Sequence, residues 1–349
     1  MSGLLVLADS VGRELQRLLP TQRKTQRVNL ALVVATMLDV RSATLMDLAA
    51  GLPRPVERID MRFQWIWRVV MNPLIKPDDV IAPFATERMA LMVEQGEPLV
   101  LILDQTKINQ RHQMLILAPR IGQRALPVAW RVVATQGAIG FEVQKDLLAA
   151  ALAWLPPEAK VCLMADRFYG TANLIALCQA HDWDDRIRLK GNLSVKSRGR
   201  SKTTTGQLAK DKVFALSDFH LTAHDVPTHL GIVQDPGHPK PWIIAMPAKP
   251  GYLTTMDYSA RRAIEPMFSD FKSWGFGLED SQISYPDRLS RLVFVMALAL
   301  YVAVSTGQWD ATVNPSSAEK NSAINDHENS NALEPPSSPE ACAASSGSS

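Results

Sequence analysis

The chain has 349 residues, 46% of them hydrophobic, and a formal net charge of +2. This size can bury a sizeable core and predicts two or three domains. The three cysteines lack CxxC spacing, which argues against a disulfide scaffold or a zinc site. The N-terminus has no signal-peptide pattern, and the longest apolar run, residues 292–304, is too short to span a bilayer. We therefore expect a cytoplasmic protein with no membrane partner.

Residues 1–90 are predicted to be helical, with apolar positions at helical spacing. Within them, "SATLMDLAAGLPRPVERIDMRFQWIWRVV" predicts a helix, a break at Gly51 and Pro53, and a second helix, with Ser42 or Thr44 as the first cap. Such a unit is typical of a helix-turn-helix, so we expect an all-α DNA-binding region. An ordinary helical hairpin with core tryptophans would give the same pattern. The candidate DNA-binding side chains are Arg54, Arg58 and Arg62, which the pattern predicts on the second helix.

From residue 91 to about 310 the pattern predicts an α/β domain. Three apolar runs indicate an antiparallel three-strand meander, whose first strand ends at Asp104. A helix over 141–155, a buried strand ending at Asp166 and a helix over 170–181 follow. Residues 191–250 break this rhythm and predict a β-rich insertion with strands at "KVFAL", "HLGIVQ" and "PWIIAM". A helix over about 288–305 ends the domain.

The charge is unevenly distributed along the chain. Residues 311–349 carry one lysine against five acids and lack periodicity, so we expect a disordered tail. Residues 186–212 carry nine Lys or Arg against one Asp. Such a segment favours a polyanion partner, although a solvated basic loop is an alternative. The candidate phosphate contacts are Lys196, Arg198, Arg200 and Lys202.

The stretch "YSARRAIEPMFSDFK", residues 258–272, predicts an amphipathic helix. At about 100° per residue, its polar stripe about 60° wide holds four side chains, and an apolar side lies opposite. The stripe contains Tyr258, Arg261, Glu265 and Lys272. The apolar side contains Ile264, Met267, Phe271 and Trp274. A solvated surface helix with i,i+4 charge pairs explains the same spacing, but Pro266 is expected to weaken or kink such a helix.

Three carboxylates suggest a different use of that helix. Asp104 and Asp166 each follow a buried apolar run, where rigid strands open onto loops. Each alone could be a cap or turn residue. Together with Glu265 they supply the oxygen ligands that a pair of Mg²⁺ ions needs for phosphoryl transfer.

These motifs resemble the IS4-type DDE transposases of bacterial insertion sequences. The family signature in the last helix is Tyr, two residues, Arg, three residues, Glu, six residues, Lys, and residues 258–272 meet it without a gap. The other two motifs are "LILDQT" at Asp104 and "MADRFYG" at Asp166. A β-rich insertion also separates the second Asp from the Glu in this family, and 98 residues separate them here.

The resemblance implies a ribonuclease H-like catalytic domain that cuts transposon ends and joins them to target DNA. It implies that Asp104, Asp166 and Glu265 hold two Mg²⁺ ions, which Mn²⁺ can replace, and that the enzyme binds double-stranded DNA as a homodimer. Tyr258, Arg261 and Lys272 would hold a DNA phosphate. Trp242 would stack on a flipped base in members that form a hairpin, although an aromatic packed in a strand fits equally.

Two alternatives belong to other classes. A catalytically inactive, transposase-derived DNA-binding regulator is disfavoured because all three acids are present. A tyrosine recombinase would require a His-x-x-Arg motif before its nucleophilic tyrosine, and the sequence contains none.

Overall fold

Five helices occupy the N-terminal region of the computed structural model, which describes residues 3–197, 201–210, 214–234 and 240–314. They are α1 (Gly3–Leu18), α2 (Lys24–Val40), α3 (Leu45–Gly51), α4 (Ile59–Val70) and α5 (Pro77–Glu94). The helical prediction for residues 1–90 is therefore confirmed over the described part. The predicted tail lies outside the described residues from 315 onward.

The predicted break between α3 and α4 is present, and its causes are local. The hydroxyl of Ser42 accepts a hydrogen bond from the Thr44 backbone N–H at 3.0 Å, which orders the chain just before α3. Gly51 ends α3 against α2, where an added Cβ would lie 2.2 Å from a methyl of Val40. The prolines at 53 and 55 lack a backbone donor, so the helix cannot continue through them.

Within the described ranges, eleven strands form one mixed sheet. Their order is β3-β2-β1-β5-β6-β11-β10-β9-β7-β8, and β4 also pairs with β2. The strands are β1 (Leu99–Lys107), β2 (Gln113–Ile121), β3 (Arg124–Ala125), β4 (Ala129–Val133), β5 (Val161–Ala165), β6 (Asp184–Arg188), β7 (Ser194–Ser197), β8 (Thr203–Thr204), β9 (Ala215–Leu221), β10 (Val226–Val233) and β11 (Trp242–Met246).

The first half of the sheet contains the predicted meander. β1, β2 and β4 are antiparallel neighbours, and β3 is a two-residue addition to β2. β5 and β6 then add in parallel to β1, through crossovers that contain the helices α6 (Phe141–Leu152) and α7 (Ala172–Ala180). The apolar runs of β1 and β5 are buried on both faces, as expected for strands covered by helices.

The segment predicted as a β-rich insertion extends the same sheet. β11 pairs with β6, and β10, β9, β7 and β8 follow outward. The strand predicted at "KVFAL", residues 212–216, lies partly outside the described residues, and β9 runs over Ala215–Leu221. A short helix, α8 (Thr205–Lys210), interrupts the β structure. The insertion and the first half of the sheet therefore share one hydrophobic core.

The C-terminal helical part begins with α9 (Tyr252–Met256), a 3-10 turn over Asp257–Ala263 and α10 (Ile264–Phe271). The last helix, α11 (Pro286–Val313), is longer than the predicted 288–305. By length and composition it could cross a membrane, but 67% of its apolar window is buried in the protein. The chain divides into two units, Met1–Tyr301 and Val302–Ser349, and the described part of the second is the last stretch of α11.

A carboxyl group is buried in the core at Asp185 of β6. Its exposure is 0%, and neither of its oxygens has a hydrogen-bond partner among the described residues. Burial raises the pKa of this carboxyl to about 8, and the neighbouring charge of Asp184 adds to the effect. The folded protein therefore holds Asp185 in its neutral form at neutral pH.

From the raised pKa of Asp185 we predict how the free energy of unfolding depends on pH. Because the folded pKa lies above the unfolded value of about 3.9, the protonated form favours folding, and stability is lost as pH rises from about 4 to about 8 at roughly 1.4 kcal/mol per unit. Asp185→Asn cannot ionise, so its stability relative to wild type should rise over this range and then level off. Urea unfolding at several pH values measures the difference. Asp39→Asn, at an exposed position of α2, is the control, and a pH-independent difference for Asp185→Asn would contradict the prediction.

Candidate active site

Two of the three predicted carboxylates lie side by side on the sheet. β1 and β5 are parallel, with Leu103 opposite Ala165. The next residue on each strand is Asp104 on β1 and Asp166 after β5. β1 does not end at Asp104 as predicted but continues to Lys107, because Asp104 to Lys107 pair with β2. The convergence of the two acids therefore follows from the strand register.

Burial sets the electrostatics of Asp104. The side chain is 17% exposed. Burial raises its pKa to about 6 although the Arg261 guanidinium lowers it, and the nearby charge of Asp166 raises it further. One carboxyl oxygen accepts a hydrogen bond from the Gln105 backbone N–H at 2.8 Å. Two acids this close disfavour simultaneous ionisation, so a cation between them would stabilise the charged pair.

Arg261 supplies that positive charge in this structure. Its Nη1 donates to Asp104 Oδ2 at 2.6 Å, and its Nη2 lies 3.7 Å from Glu265 Oε1. The side chain is 16% exposed, and its Nε has no hydrogen-bond partner among the described residues. A buried guanidinium with an unused N–H is well suited to donate a hydrogen bond to a further anionic oxygen.

Glu265 is the third acid, and it is placed differently from the two aspartates. It lies in the first turn of α10 with a side chain that is 60% exposed. Its contact with the site passes through Arg261. Within the described ranges, no group of three His, Cys, Asp or Glu side chains is arranged to hold a metal ion.

The chemistry of these residues still fits a hard divalent cation. All three candidates offer carboxylate oxygens, which Mg²⁺ prefers. Burial already raises the pKa of Asp104, and the charge of Asp166 adds to it, so an ion beside the pair would relieve their repulsion. The three acids therefore fit such an ion chemically. In this structure the Arg261 guanidinium is the positive charge that contacts Asp104 and approaches Glu265.

Tyr258 lies next to Asp166 at the border of the site. Its hydroxyl donates to Asp166 Oδ1 at 3.4 Å, and its ring is 3% exposed. Burial raises the pKa of this phenol well above its ordinary value, so Tyr258 is a neutral donor. The Arg261 guanidinium also lies 5.8 Å from the centre of the ring. Tyr258 therefore contacts Asp166 and Arg261 contacts Asp104.

The straight helix assumed for residues 258–272 is not formed. Residues 257–263 form a 3-10 turn, and an α-helix begins only at Ile264. Pro266 explains the change, because its missing N–H and its ring are tolerated only in the first turn of a helix. The single polar stripe about 60° wide is therefore wrong as a geometric description.

The C-terminal end of this segment also differs from the prediction. α10 ends at Phe271, and Lys272 has left helical geometry, with ψ at −148°. Lys272 Nζ lies 3.6 Å from Glu279 Oε1. Ile264, Met267 and Phe271 are buried as predicted, whereas Trp274 is 88% exposed. Trp274 was assigned to the apolar side only because a continuous helix was assumed.

Trp242 is the first residue of β11 and is 2% exposed. Its ring packs edge-to-face against Tyr258, with centroids 5.1 Å apart, and Arg262 lies 5.4 Å from its centre. In this conformation the tryptophan belongs to a small apolar cluster with Ile244 and Met246, and its face is covered.

Sequence reasoning missed a hydrogen-bonded support behind the aspartates. The Oε1 of Gln105 accepts from the buried Tyr169 hydroxyl at 2.7 Å and from the Ile139 backbone N–H at 3.0 Å. Next to this tyrosine, Gly170 passes so close to β6 that a Cβ would lie 2.2 Å from the Arg188 carbonyl oxygen. The signal was present in the sequence, since both residues lie in the motif "MADRFYG" and Gln105 follows Asp104.

The three N-terminal arginines have distinct environments. Arg54 precedes α4, and its guanidinium lies 4.8 Å from the Trp65 ring centre. Arg58 is exposed and pairs with Asp60 at 2.6 Å. Arg62 donates to three backbone carbonyls, including Val56 O at 2.6 Å, and so holds the break between α3 and α4. Arg54 and Arg58 lie before α4, although the pattern had assigned them to the second helix.

The basic segment is only partly described. Lys196 is on β7 and pairs with Asp225 at 2.7 Å while remaining half exposed. Lys202 is exposed. Arg198 and Arg200 lie outside the described residues.

Comparison with protein families gives a match over the middle and C-terminal parts of the chain. Residues 141–302 match the family of transposase DDE domains, which is somewhat less than half of the chain. The matched range contains Asp166 and the whole 258–272 motif and begins after Asp104. No curated protein matches the chain. The match supports a DDE transposase, a class of metal-dependent enzymes that act on DNA, and the mixed α/β fold with its helical N-terminal region fits such a domain.

Proposed function

We propose that this protein is an IS4-type transposase of a bacterial insertion sequence, which cuts the ends of its element and joins them to target DNA. The observation that carries the proposal is the meeting of Asp104, Asp166 and Arg261, which come from two parallel strands and from the segment that carries Glu265. Residues distant in sequence converge there with the residue types that the family signature requires.

The catalytic core is proposed to be ribonuclease H-like. The support is the antiparallel β1-β2-β4 meander, followed by β5 and β6 added in parallel on the other side of β1. The two aspartates then lie on or directly after two neighbouring interior strands, and these rigid strands fix their positions.

Asp104, Asp166 and Glu265 are proposed to hold two Mg²⁺ ions, which Mn²⁺ can replace. Bound there, such ions would activate the attacking oxygen and stabilise the leaving oxygen of a phosphodiester. The chain's own residues position the DNA. Arg261 can offer a planar fork to a phosphate, and Tyr258 donates a hydrogen bond beside Asp166. Lys272 adds a point charge at the end of α10.

Cleavage of cloned element ends tests the proposal. Double-stranded DNA that carries the ends is incubated with the purified protein and Mg²⁺, and the cut positions are mapped. Cuts at the element boundary that depend on the divalent ion are expected. Absence of cleavage on its own ends, in Mg²⁺ and in Mn²⁺, would contradict the proposal. The enzyme is proposed to act in the cytoplasm. It is also proposed to bind DNA as a homodimer, so cleavage should require two element ends to be paired in one complex.

End recognition is proposed to reside in the N-terminal helices, with the basic segment contacting phosphates. Arg58→Ala removes an exposed charge beside the break between α3 and α4, and it should reduce the preference for element ends over unrelated DNA. Arg13→Ala, an equally exposed arginine paired with Asp9 on α1, is the matched control. Competition binding measures the preference, and equal effects of the two variants would contradict this role.

Neutralising Lys196 and Lys202 should act differently. Phosphate contacts carry no sequence information, so their loss should weaken all duplexes alike and reduce the salt dependence of binding by about 0.9 per lost contact. Binding titrations over a range of salt concentrations measure this slope. An unchanged slope would remove the basic segment from the interface.

A further inference from the structure

A large groove lies beside the carboxylate site, between the loop after Asp166 and the outer strands of the sheet. Its volume is about 1010 Å³, within the range of sites that hold a sizeable ligand. Arg167 connects it directly to Asp166, and Arg188 of β6 lines it while also acting electrostatically on Tyr258. The groove therefore opens next to the site where cleavage is proposed.

The charged side chains among the described lining residues of the groove are all basic. Five basic side chains line it, and none of its described lining residues is acidic. The five are Arg167, Arg188, Lys190, Lys210 and Lys240. A concave surface with this charge attracts polyanions and holds them in a defined track.

Exposed aromatic rings alternate with these charges. Phe168 is 47% exposed, Phe214 is 37% exposed and Tyr252 is 58% exposed. The Phe168 ring makes cation–π contacts with two side chains, Arg167 at 5.6 Å and Lys190 at 5.3 Å from its ring centre. The rings of Phe214 and Tyr252 lie 5.9 Å apart at 32°. Large aromatic side chains left accessible inside a basic groove offer flat surfaces for stacking.

At one place the wall of the groove is formed by the backbone of two glycines. Gly191 and Gly206 approach so closely that a Cβ on Gly206 would lie 2.6 Å from the Gly191 carbonyl oxygen, which accepts the Gly206 N–H at 2.7 Å. This contact brings Lys190 and α8 together without side chains in between. The shape of the groove at this contact therefore depends on the absence of a side chain at Gly206.

We propose that this groove binds an unpaired stretch of DNA strand adjacent to the cleavage site. Bases would stack on the rings of Phe214 and Tyr252 and on Phe168, and Lys190, Lys210 and Lys240 would contact the backbone phosphates. Stacking rings combined with a basic track are the means by which proteins hold single strands with little sequence preference. A paired duplex cannot use the rings, because its bases are already stacked on one another. This inference rests on the proposed function, which makes DNA the substrate.

The test measures binding of a labelled thymidine oligonucleotide and of a blunt duplex of the same length. The full chain is used without divalent metal and without element-end sequence. Phe214→Ala with Tyr252→Ala should weaken single-strand binding by about 5- to 150-fold and leave duplex binding unchanged. Tyr285→Ala is the matched control, because Tyr285 is 57% exposed and lies outside the groove. Lys210→Ala should lower the salt slope for the single strand by about 0.7.

A second pair of variants separates stacking from apolar packing. Phe214→Leu with Tyr252→Leu keeps apolar volume but removes the ring faces, so it should lose single-strand affinity as the alanine pair does. Wild-type affinity in the leucine pair, equal loss for single strand and duplex, or absence of single-strand binding by wild type would each overturn the inference. Because the assay uses neither metal nor element ends, its failure leaves the proposed cleavage untouched, and failure of cleavage leaves this binding result standing.

Discussion

Asp104→Asn, Asp166→Asn and Glu265→Gln are each expected to abolish cleavage of element ends while end binding stays largely intact. Each change keeps the shape of the side chain and removes one anionic ligand. If the three acids act as a unit, a double variant should be no worse than a single one, because the first loss already disables the site. Cleavage rates and end binding are measured separately. Asp39→Asn, which removes an exposed carboxylate from α2, is the control and should cleave normally.

The structure adds a distinction among the three variants. Asp104 and Arg261 form a largely buried ion pair, so Asp104→Asn leaves a buried guanidinium without its main partner. Breaking such a pair costs roughly 3 kcal/mol, so this variant should also melt at a lower temperature. Glu265 is mostly exposed, and Glu265→Gln should melt like wild type. Substantial cleavage by any of the three variants would remove that residue from the catalytic set.

Arg261→Ala is expected to slow cleavage by about 100-fold or more, while weakening end binding much less. If Arg261 positions the phosphate to be cut, its loss displaces the reacting atoms and destroys their alignment. Arg261→Lys should restore activity only in part, because an ammonium cannot reproduce the two-pronged donor. Lys272→Ala should slow the same step by a smaller factor, since it removes a point charge that is otherwise next to Glu279. Single-turnover cleavage on pre-bound ends measures these rates.

A second arginine provides the control for this prediction. Arg124 is about half exposed and pairs with Asp270 of the neighbouring helix α10 at 2.7 Å. Arg124→Ala removes a cation of the same kind from this ion pair and should leave the cleavage step close to wild type. If the polar side chains of residues 258–272 were only a solvated surface, each substitution would cost under about 0.5 kcal/mol of stability and leave catalysis unchanged. Wild-type rates in Arg261→Ala would establish that simpler interpretation.

Local patterns in the sequence determined much of this protein. The apolar runs before Asp104 and Asp166 predicted two buried strands, since period and composition report burial directly. Helical spacing predicted the N-terminal helices and the buried positions Ile264, Met267 and Phe271. Proline and glycine predicted the break between α3 and α4. Each of these features depends on residues close together in the chain.

Other features were decided only by the tertiary structure, because they depend on which distant segments meet. The register of β1 against β5 brings Asp104 beside Asp166, and no local pattern contains that register. Pairing of β11 with β6 joins the insertion to the main sheet and buries Trp242 against Tyr258. Pro266 predicts a weakened helix from the sequence alone. The 3-10 turn before it and the exposure of Trp274 depend on the path of the backbone on either side of α10. Arg261 and Asp104 are 157 residues apart in the sequence, and they are in contact because the fold packs their segments together. A contact over that separation is a property of the whole fold.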